Sequence, residues 1–477
     1  MSLKITEDLI ARQTPESQLI IRALMAKIAE LESRLNKTPQ NSSLPPSSQH
    51  PHDRPKNKPK RKKSEKGKRK RGGQPGHPKH ERSLIPTEQC DEVVPLKPSN
   101  CRRCGEELAG EDKHPLRHQV WELPEIKPLV TEFQRHRITC PCCKESTCAE
   151  LPPGVPCGQS GPRLIAFSAI LMAYFRQSKR RTVEFLQTLL GQPGSTGLMI
   201  KHQNLVTAAL DRVYGDLVEH LPQQDQLGID ETGTKQESHK AWLWTFVAAG
   251  FTVFAIRLSR RAAILADLLT DQYSGTINCD RAKMYWALGL EKPPDPLRHR
   301  LQWCWAHLKR DIQALIESED HQAKQLGRDL MRPTKELFEV WARYRDGTLT
   351  RRGFVRLMKP IRQTIDALLL RGAFSGNPCL TGMCRELHDH RDWLWTFVAE
   401  EGVEPTNNAS ERSLRHAVIW RKLSFGTQSA NGSRFTERML TVIETCRQQS
   451  RNVLDFVTQA IEAKLYGEAP LLLHPGA

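Results

Sequence analysis

Apolar residues near the amino terminus recur every three or four positions. The repeating set is Ile21, Leu24, Ile28, Leu31 and Leu35. This is the a/d spacing of a coiled coil, and it predicts one helix over residues 1–37. About two heptads are too few to hold a dimer alone. Weak oligomerisation and an ordinary amphipathic helix therefore both stay open.

The helical pattern ends where the chain becomes polar and rich in proline. Asn41-Ser-Ser-Leu-Pro-Pro-Ser-Ser48 cannot continue a helix, and the basic tract after it has almost nothing apolar to bury. We interpret residues 38–82 as a disordered basic linker. Residues 83–157 are dense in cysteine and contain only short extended segments.

A helical region is predicted over residues 158–222. Its apolar stretches are Leu164–Phe175, Val183–Leu190 and Leu198–Leu221. The break at Gly191-Gln-Pro-Gly194 resembles the connection of a helix-turn-helix motif. Any helical hairpin has a similar pattern, so DNA reading by this helix pair is one of two interpretations.

From Gln226 onward the apolar period becomes that of strands. The predicted strands are Gln226–Asp230, Ala241–Ala249, Phe251–Leu258, Gly275–Asp280 and Leu301–Ala306, with a helix at Ala262–Leu269. Further helices are predicted from about His307, over residues 320–400 and after Asn408. This order predicts a ribonuclease-H-like catalytic domain over residues 223–465, with a helical insertion at about 320–400 and a tail at 466–477. The chain as a whole is predicted to be a multidomain α plus α/β protein.

The charge balance points to a polyanionic partner. Lys and Arg number 71 against 54 Asp and Glu, a net charge of +17. Residues 51–82 carry 14 Lys and Arg against three acids, so they hold most of this excess. Neutralising phosphates with Lys and Arg releases counterions, which favours a nucleic-acid partner. Whether the basic tract itself touches DNA is left open by composition alone.

The chain contains no apolar run of membrane-spanning length and no secretory signal pattern. Its 13 cysteines are an odd number in a long chain. This pattern favours reduced thiols or metal ligation over disulfides. The expected compartment is the cytoplasm, with no membrane association.

Two aspartates lie at the ends of predicted strands. Asp230 ends the first strand, and Asp280 ends the strand after the first helix of the predicted catalytic domain. If these strands are neighbours, both carboxylates emerge at one edge of the sheet. Carboxylates there can hold Mg²⁺ or Mn²⁺ for phosphoryl transfer. The alternative is that each aspartate merely begins a turn.

Glu411 has two competing interpretations. Asn408-Ala-Ser-Glu411 fits a helix start, with Asn408 as the N-cap and Glu411 as the acid of a capping box. The other interpretation is metal ligation. A surplus of positive charge follows, at Arg412, Arg415, Arg421 and Lys422. That surplus suits a phosphate backbone beside a metal-bound carboxylate, and it favours ligation.

Paired cysteines predict a structural zinc site. Cys101-Arg-Arg-Cys104-Gly is a typical zinc knuckle, and Cys140-Pro-Cys-Cys143 supplies a second pair. Gln119–Leu123 and Leu129–Thr139 could form a hairpin in the connecting loop. The competing ligands are Cys142, Cys148 and Cys157. A redox role is less favoured, since no thioredoxin-like pattern surrounds the motif, and four thiolates leave no open position for catalysis.

Tryptophan is concentrated in the predicted catalytic domain. The set is Trp242, Trp244, Trp286, Trp303 and Trp305. Base stacking is conceivable, but burial in the core is the commoner fate and is our prediction. His307, just before Lys309 and Arg310, either approaches a scissile phosphate or is a helix-start residue without catalytic duty.

Several segments together resemble the insertion sequence 66 family of transposases. In the amino-terminal half these are Asn41–Ser48, Arg71-Gly-Gly-Gln-Pro-Gly-His-Pro78 and the cysteine pairs. In the other half they are Asp230-Glu-Thr-Gly, Trp303-Cys-Trp-Ala-His-Leu-Lys-Arg310, Asn407–Arg415, Arg421–Ser429 and Thr441–Thr445. The resemblance runs in order from about residue 15 to about residue 465.

The resemblance implies a coiled coil, a zinc-binding segment and an aspartate–aspartate–glutamate nuclease and strand transferase. The implied triad is Asp230, Asp280 and Glu411, holding Mg²⁺ or Mn²⁺. The family has glycine and tyrosine after the second aspartate, whereas Arg281-Ala-Lys-Met-Tyr285 follows here. Asp267 and Asp271 are the alternatives at that position.

The resemblance also implies partners. These are double-stranded DNA at element ends and target, a second copy of the chain, and accessory transposition proteins. Residues expected to contact DNA are His307, Lys309, Arg310, Arg412, Arg415, Arg421 and Lys422. We therefore expect a transposase that cuts and joins DNA in the cytoplasm, at the nucleoid. The rivals are a structure-specific nuclease of the same fold and a non-catalytic zinc-containing DNA-binding protein.

Overall fold

The structure is a computed structural model that describes residues 7–35, 42–43, 83–270, 273–290 and 300–474. The chain divides into two compact units, residues 55–127 and residues 1–54 with 128–477. The division falls inside the segment predicted as a zinc-binding domain, residues 83–157. No helix in the described ranges is both long and apolar enough to cross a bilayer.

The amino-terminal segment forms two helices, α1 (Glu7–Ala11) and α2 (Pro15–Leu35). The prediction of one continuous helix was wrong, because Pro15 disfavours a helical conformation at the residue before it. The hydroxyl of Thr14 accepts a hydrogen bond of 3.3 Å from the Ser17 N–H, inside the first turn of α2. On α2, Leu24, Ile28 and Leu31 are all exposed. The predicted linker lies outside the described residues, except for 42–43.

The cysteine-rich segment has little regular structure. The described part of unit 55–127 contains a short 3₁₀ helix, Thr87–Gln89. In the other unit, β1 (Arg137–Thr139) pairs antiparallel with β2 (Ser146–Cys148). Neither Gln119–Leu123 nor residues 129–136 form a strand, so the predicted hairpin is wrong. A shorter hairpin instead encloses the cysteines that follow Thr139.

A five-stranded mixed sheet forms the centre of the larger unit, in the order β5-β4-β3-β6-β7. The strands are β3 (Gln226–Gln236), β4 (His239–Val247), β5 (Thr252–Arg257), β6 (Thr276–Cys279) and β7 (Arg300–Trp303). The first three strands pair antiparallel, and β6 runs parallel to both β3 and β7. All five predicted strands are confirmed. Strand β3 continues to Gln236, beyond its predicted end at Asp230.

Helices surround this sheet. Before it come α3 (Pro162–Ala173), α4 (Lys179–Leu190), α5 (Thr196–Ala209) and α6 (Asp211–Glu219), and within it α7 (Ala263–Leu269), α8 (Lys283–Leu290) and α9 (Trp305–Glu317). The insertion comprises α10 (His321–Arg345), α11 (Arg351–Ala373), α12 (Pro378–Asp389) and α13 (Thr396–Ala399). The last helices are α14 (Asn408–Ser424), α15 (Ala430–Gln448) and α16 (Val453–Tyr466). Helix α5 packs against α3, α15 and α16. The four helices that precede the sheet therefore share one hydrophobic core with it.

Side chains of α15 cover the open edge of the sheet. Thr445 and Thr441 accept hydrogen bonds of 3.1 and 2.9 Å from the N–H groups of Thr252 and Phe254 on β5. Glu437 accepts one from the next free N–H along the same strand. These residues are four apart, one helical turn, while the free N–H groups are two apart along the strand. The edge is thereby satisfied and shielded from pairing with another chain.

Most of the predicted tryptophans belong to the core. Trp244, Trp303 and Trp305 are buried, which confirms the prediction of burial for these three. Trp242 is half-buried, and the Arg260 guanidinium lies 4.9 Å from its ring centre. Trp286 is half-buried and packs against Trp303. Trp303 and Trp305 contact Trp393 and Trp395, so these rings lie between the sheet and the helical insertion.

Candidate active site

Asp230 lies on β3, and Asp280 directly follows β6, the parallel neighbour of β3. The register pairs Gly228 of β3 with Asn278 of β6. Each aspartate follows its partnered residue by two positions, so the two reach the same edge of the sheet. This is the arrangement that the spacing of strands along the sequence predicted.

The turn after Asp280 is held by local and long-range bonds. The Asp280 Oδ1 accepts a hydrogen bond of 2.8 Å from the Ala282 N–H. Arg281 donates to Asp311 at 2.8 Å and to Glu386 in the insertion at 3.2 Å. The arginine that departs from the family pattern therefore anchors this turn. Asp267, one alternative, is exposed on α7, and Asp271 lies outside the described residues.

Glu411 lies one turn into α14. The helix begins at Asn408 with Asn407 as its N-cap, and the Glu411 N–H bonds to the Asn407 carbonyl at 3.1 Å. Glu411 is thus the fourth helical residue, one past the position of a capping-box acid. The capping-box interpretation, with Asn408 as the N-cap, was wrong. Its Oε1 atom is buried and has no hydrogen-bond partner among the described residues.

Asn407 joins the element that carries Glu411 to the two strands that carry the aspartates. Its side-chain amide donates to the carbonyl of Ile229, directly before Asp230, at 2.7 Å. Its backbone N–H bonds to the Cys304 sulfur at 3.2 Å. The Cys304 N–H bonds in turn to the carbonyl of Cys279, directly before Asp280, at 2.9 Å. These contacts fix the start of α14 against both strand ends.

Gly228 permits this close approach of α14 to β3. A Cβ atom at this position would meet the hydroxyl of Ser410 and would lie 2.9 Å from the Asn407 Oδ1. Real Cβ atoms do not tolerate contacts this short, so a larger residue would push the helix away. The glycine two positions before Asp230 therefore matters to the position of Glu411.

The charges of Asp280 and Glu411 both act on Asp230. The pKa of Asp230 is raised to about 8, first by burial and then by the charges of Glu231, Asp280 and Glu411. Such a site favours either a bound proton or a cation. Buried carboxylates with an unpartnered oxygen fit hard divalent ions, which take oxygen ligands.

Cys304 and His307 extend this carboxylate cluster. One ligand atom from each, together with one from Glu411, lies within 4.8 Å of the others. The His307 Nε2 is 3.8 Å from the Glu411 Oε1. Burial, followed by the charge of Arg310, lowers the pKa of His307. The imidazole is therefore held neutral, so its nitrogen lone pair is available. Sequence analysis missed Cys304, although its Cys-x-x-His spacing was a visible signal.

Glu231 is a second acid that sequence analysis missed. Its carboxylate is almost fully buried and accepts hydrogen bonds from Arg260 and from the Tyr285 hydroxyl. Asp230 and Glu231 point to opposite faces of β3, because side chains alternate along a strand. Glu231 is thus held by Arg260 and Tyr285, although its charge still contributes to the raised pKa of Asp230. The signal in the sequence was the adjacency of the two acids.

The basic residues predicted to contact DNA have different environments. Arg412, Arg415 and Lys422 are exposed on α14. Arg421 instead donates to the Thr232 hydroxyl at 2.9 Å and to the Gly233 carbonyl, so it is bound to β3. On α9, the Lys309 Nζ lies 5.5 Å from the ring centre of Phe338 and Arg310 is half-buried.

The cysteine turn in the smaller unit has the backbone of a knuckle. The Cys101 N–H bonds to the Glu106 carbonyl at 2.8 Å, and the Gly105 N–H bonds back to the Cys101 carbonyl at 3.0 Å. Gly105 has a φ of 81°, in the left-handed region. Backbone N–H groups of Cys104 and Arg103 hydrogen-bond to the Cys101 sulfur and lower its pKa.

The turn in the larger unit repeats this pattern bond for bond. The Cys140 N–H bonds to the Glu145 carbonyl at 2.7 Å, and the Lys144 N–H bonds to the Cys140 carbonyl at 3.0 Å. Lys144, with a φ of 62°, takes the place of the glycine. N–H groups of Cys143 and Cys142 lower the pKa of Cys140. The equivalence favours Cys140 and Cys143 over the alternatives Cys142, Cys148 and Cys157.

Comparison with known proteins identifies the family of this chain. The chain matches the IS66 transposase family over residues 158–434 and the zinc-finger binding domain of that transposase over residues 98–144. Residues 8–83 match a family of unknown function. The uncharacterized protein y4qI of Sinorhizobium fredii is 23% identical over 405 residues, covering 78% of this chain and 72% of that protein. Because the first match spans more than half of the 477 residues, the chain belongs to the IS66 family of transposases.

Proposed function

We propose that this protein is a metal-dependent DNA transposase that cleaves phosphodiester bonds at element ends and joins those ends to target DNA. The observation that carries the proposal is geometric: the parallel register of β3 and β6 brings Asp230 and Asp280 to one edge of the sheet, and Asn407 binds the start of the Glu411 helix to that edge. The pKa of Asp230, raised to about 8 by burial and by the charges of Glu231, Asp280 and Glu411, supports it. A sheet edge that gathers carboxylates in this way is suited to binding divalent cations. The strand order, with three antiparallel strands followed by two parallel ones, supports a ribonuclease-H-like fold.

In this proposal Asp230, Asp280 and Glu411 hold Mg²⁺ or Mn²⁺. When bound, such ions activate a water or a 3′-hydroxyl and neutralise the charge that develops on the phosphate. Asp230 gives up its proton when the site fills, since ligation requires the carboxylate form. Asn407 keeps Glu411 in register with both strands. Arg412 and Arg415, exposed one and four residues after Glu411, suit contact with the DNA backbone on either side of the cleaved bond.

The remaining assignments concern structure and partners. Cys101, Cys104, Cys140 and Cys143 are proposed as zinc ligands, supported by the match over residues 98–144 and by the repeated knuckle pattern.

The exposed apolar residues of α2 suit pairing with a second copy of the chain. Double-stranded DNA, accessory proteins and a cytoplasmic, nucleoid location complete the proposal. Because α5 is packed in the core, the exposed Arg180 and Arg181 of α4 are the better candidates for DNA contact in this helix pair.

The test is cleavage and strand transfer by the full-length protein on DNA that carries its element ends, with Mg²⁺ or Mn²⁺. Asp230→Asn, Asp280→Asn and Glu411→Gln should each abolish both reactions while DNA binding persists. Asp267→Asn, which changes an exposed aspartate on α7, is the matched control and should stay active. A pre-cut 3′-end that is never joined would favour the nuclease rival. Metal-independent DNA binding without any cleavage would favour the non-catalytic rival.

A further inference from the structure

Cys304, His307 and Glu411 form a ligand set of a different chemical type from the three carboxylates. They offer one sulfur, one nitrogen and one oxygen, all within 4.8 Å of one another. Glu411 belongs to both sets. Hard ions such as Mg²⁺ prefer oxygen alone, whereas zinc accepts all three ligand types. The same carboxylate can therefore serve two kinds of metal ion.

Local structure brings the sulfur and the nitrogen together. Cys304 is the N-cap of α9, and the His307 N–H bonds to the Cys304 carbonyl at 3.1 Å. Both residues thus lie on the first turn of one helix, at the end that faces the start of α14. The Asn407 N–H is directed at the Cys304 sulfur, at 3.2 Å, and holds that sulfur beside the start of α14.

Two atoms of this set lack partners. The Nδ1 of His307 and the Oε1 of Glu411 are buried, and neither has a hydrogen bond within the described part of the chain. An ion bound by the Glu411 Oε1 would remove the free-energy cost of leaving that buried atom unsatisfied. The 3.8 Å between the His307 Nε2 and the Glu411 Oε1 is a few tenths of an ångström longer than the roughly 3.3–3.5 Å between a nitrogen and an oxygen ligand on one tetrahedral zinc ion, so a small side-chain shift completes the site.

The burial of the three residues defines an entry side. Cys304 is 1% exposed and forms the floor of the cluster. The side chains of His307 and Glu411 are about one-third exposed, at 32% and 34%. An ion would enter between the imidazole and the carboxylate and meet the sulfur last. The cluster therefore does not require unfolding to fill.

We propose that Cys304, His307 and Glu411 bind Zn²⁺, and that this ion inhibits the enzyme by withdrawing Glu411 from the carboxylate site. On binding, the Cys304 thiol loses its proton to solvent and a sulfur–zinc bond forms. Sites with nitrogen and sulfur ligands hold zinc far more tightly than magnesium. Low zinc would thus oppose a large excess of magnesium. Binding stands on the geometry alone, while the inhibition rests on the function proposed for Glu411.

Binding is tested with Co²⁺, a spectroscopic substitute for zinc, on full-length protein first loaded with Zn²⁺ at its knuckle cysteines. The wild-type protein should take up one further equivalent of Co²⁺ with a thiolate charge-transfer band. Cys304→Ser should lose that band, and His307→Gln should weaken the same binding. Cys446→Ser, another buried cysteine, is the matched control and should retain both. Identical spectra and stoichiometry in wild-type and Cys304→Ser proteins would overturn the proposal.

Inhibition is tested by titrating Zn²⁺ into the cleavage reaction at fixed Mg²⁺. The zinc concentration for half-inhibition should rise by ~10-fold or more in Cys304→Ser, relative to that variant's own zinc-free rate, since removal of even an outer partner of a metal site costs at least this much. An unchanged half-inhibition value would overturn the regulatory role. If no metal supports cleavage in the wild-type protein, the proposed function fails, and the Co²⁺ result still decides the binding site.

Discussion

The Asn407 side-chain amide donates a 2.7 Å hydrogen bond to the carbonyl of Ile229, the residue directly before Asp230. Through this bond the start of α14, which carries Glu411, is fixed to the strand that carries the first aspartate. Asn407 is 3% exposed, so water cannot replace the bond. Asn407, which is buried away from the surface, thus fixes the position of Glu411.

Asn407→Ala should reduce both stability and activity. Leaving the Ile229 carbonyl buried and unpaired costs about 1–3 kcal/mol of unfolding free energy. Misplacement of Glu411 should reduce the cleavage rate on the order of 100-fold. Denaturant unfolding and single-turnover cleavage measure the two effects. The exposed neighbour Asn408, changed to Ala, is the control. Equal effects of the two substitutions would contradict the role given to Asn407.

Gly228→Ala should disrupt the contact between β3 and α14. The added Cβ would crowd Asn407 Oδ1 at 2.9 Å and the Ser410 hydroxyl. We expect a loss of about 1–3 kcal/mol, as for other overpacked positions, and a loss of cleavage. Gly233→Ala is the matched control on the same strand, where the nearest atom, in Trp242, is 3.9 Å away. A fully active Gly228→Ala protein would show that α14 tolerates displacement.

Asp230 should make the metal-free protein less stable as the pH rises. Its pKa is about 8 in the folded protein, above the ordinary value of 3.8 for an aspartate, so the folded state holds an extra proton between these two pH values. Stability that is present at low pH is then lost as the pH rises towards 8. Asp230→Asn removes this loss and should be more stable than wild type near pH 8, by at least about 1 kcal/mol.

Thermal unfolding in EDTA from pH 5 to pH 8 measures this effect. The difference between Asp230→Asn and wild type should grow with pH, whereas Asp267→Asn should show no such trend. The affinity of the protein for Mg²⁺ or Mn²⁺ should increase up to about pH 8, because binding of the ion displaces the Asp230 proton. A difference that is constant with pH would mean that Asp230 is ionised throughout this range.

Arginines of α14 should divide into two functional classes. Arg412→Ala and Arg415→Ala should weaken binding to all DNA sequences. Each should also reduce the slope of log affinity against log salt concentration by about one. Arg421→Ala should instead lower the unfolding free energy by about 1–3 kcal/mol, because it removes bonds to Thr232 and to the Gly233 carbonyl. Binding isotherms at several salt concentrations, with denaturant unfolding, separate the classes. A pure binding defect in Arg421→Ala would contradict this division.

The sequence alone predicted the elements that carry the candidate site. The two-residue period of the strands is a local property, and so is the position of Asp230 and Asp280 within them. Local rules were less successful at boundaries. They made Asn408 the cap of α14, whereas Asn407 takes that place because its side chain is bound to β3. They also ended the first strand at Asp230, although pairing with β4 extends it to Gln236.

Only the tertiary structure decided which of the many charged residues act together. Glu231 and Asp230 are neighbours in the sequence, yet only Glu231 is bound by Arg260 and Tyr285. Asp230 instead has its pKa raised by burial and by the surrounding acids. Cys304 gained significance only when the start of α14 packed beside it. Sequence spacing determines the type and order of elements because those depend on near neighbours. Carboxylate pairing, burial and pKa depend on residues that are tens to more than a hundred positions apart, which only the folded chain brings together.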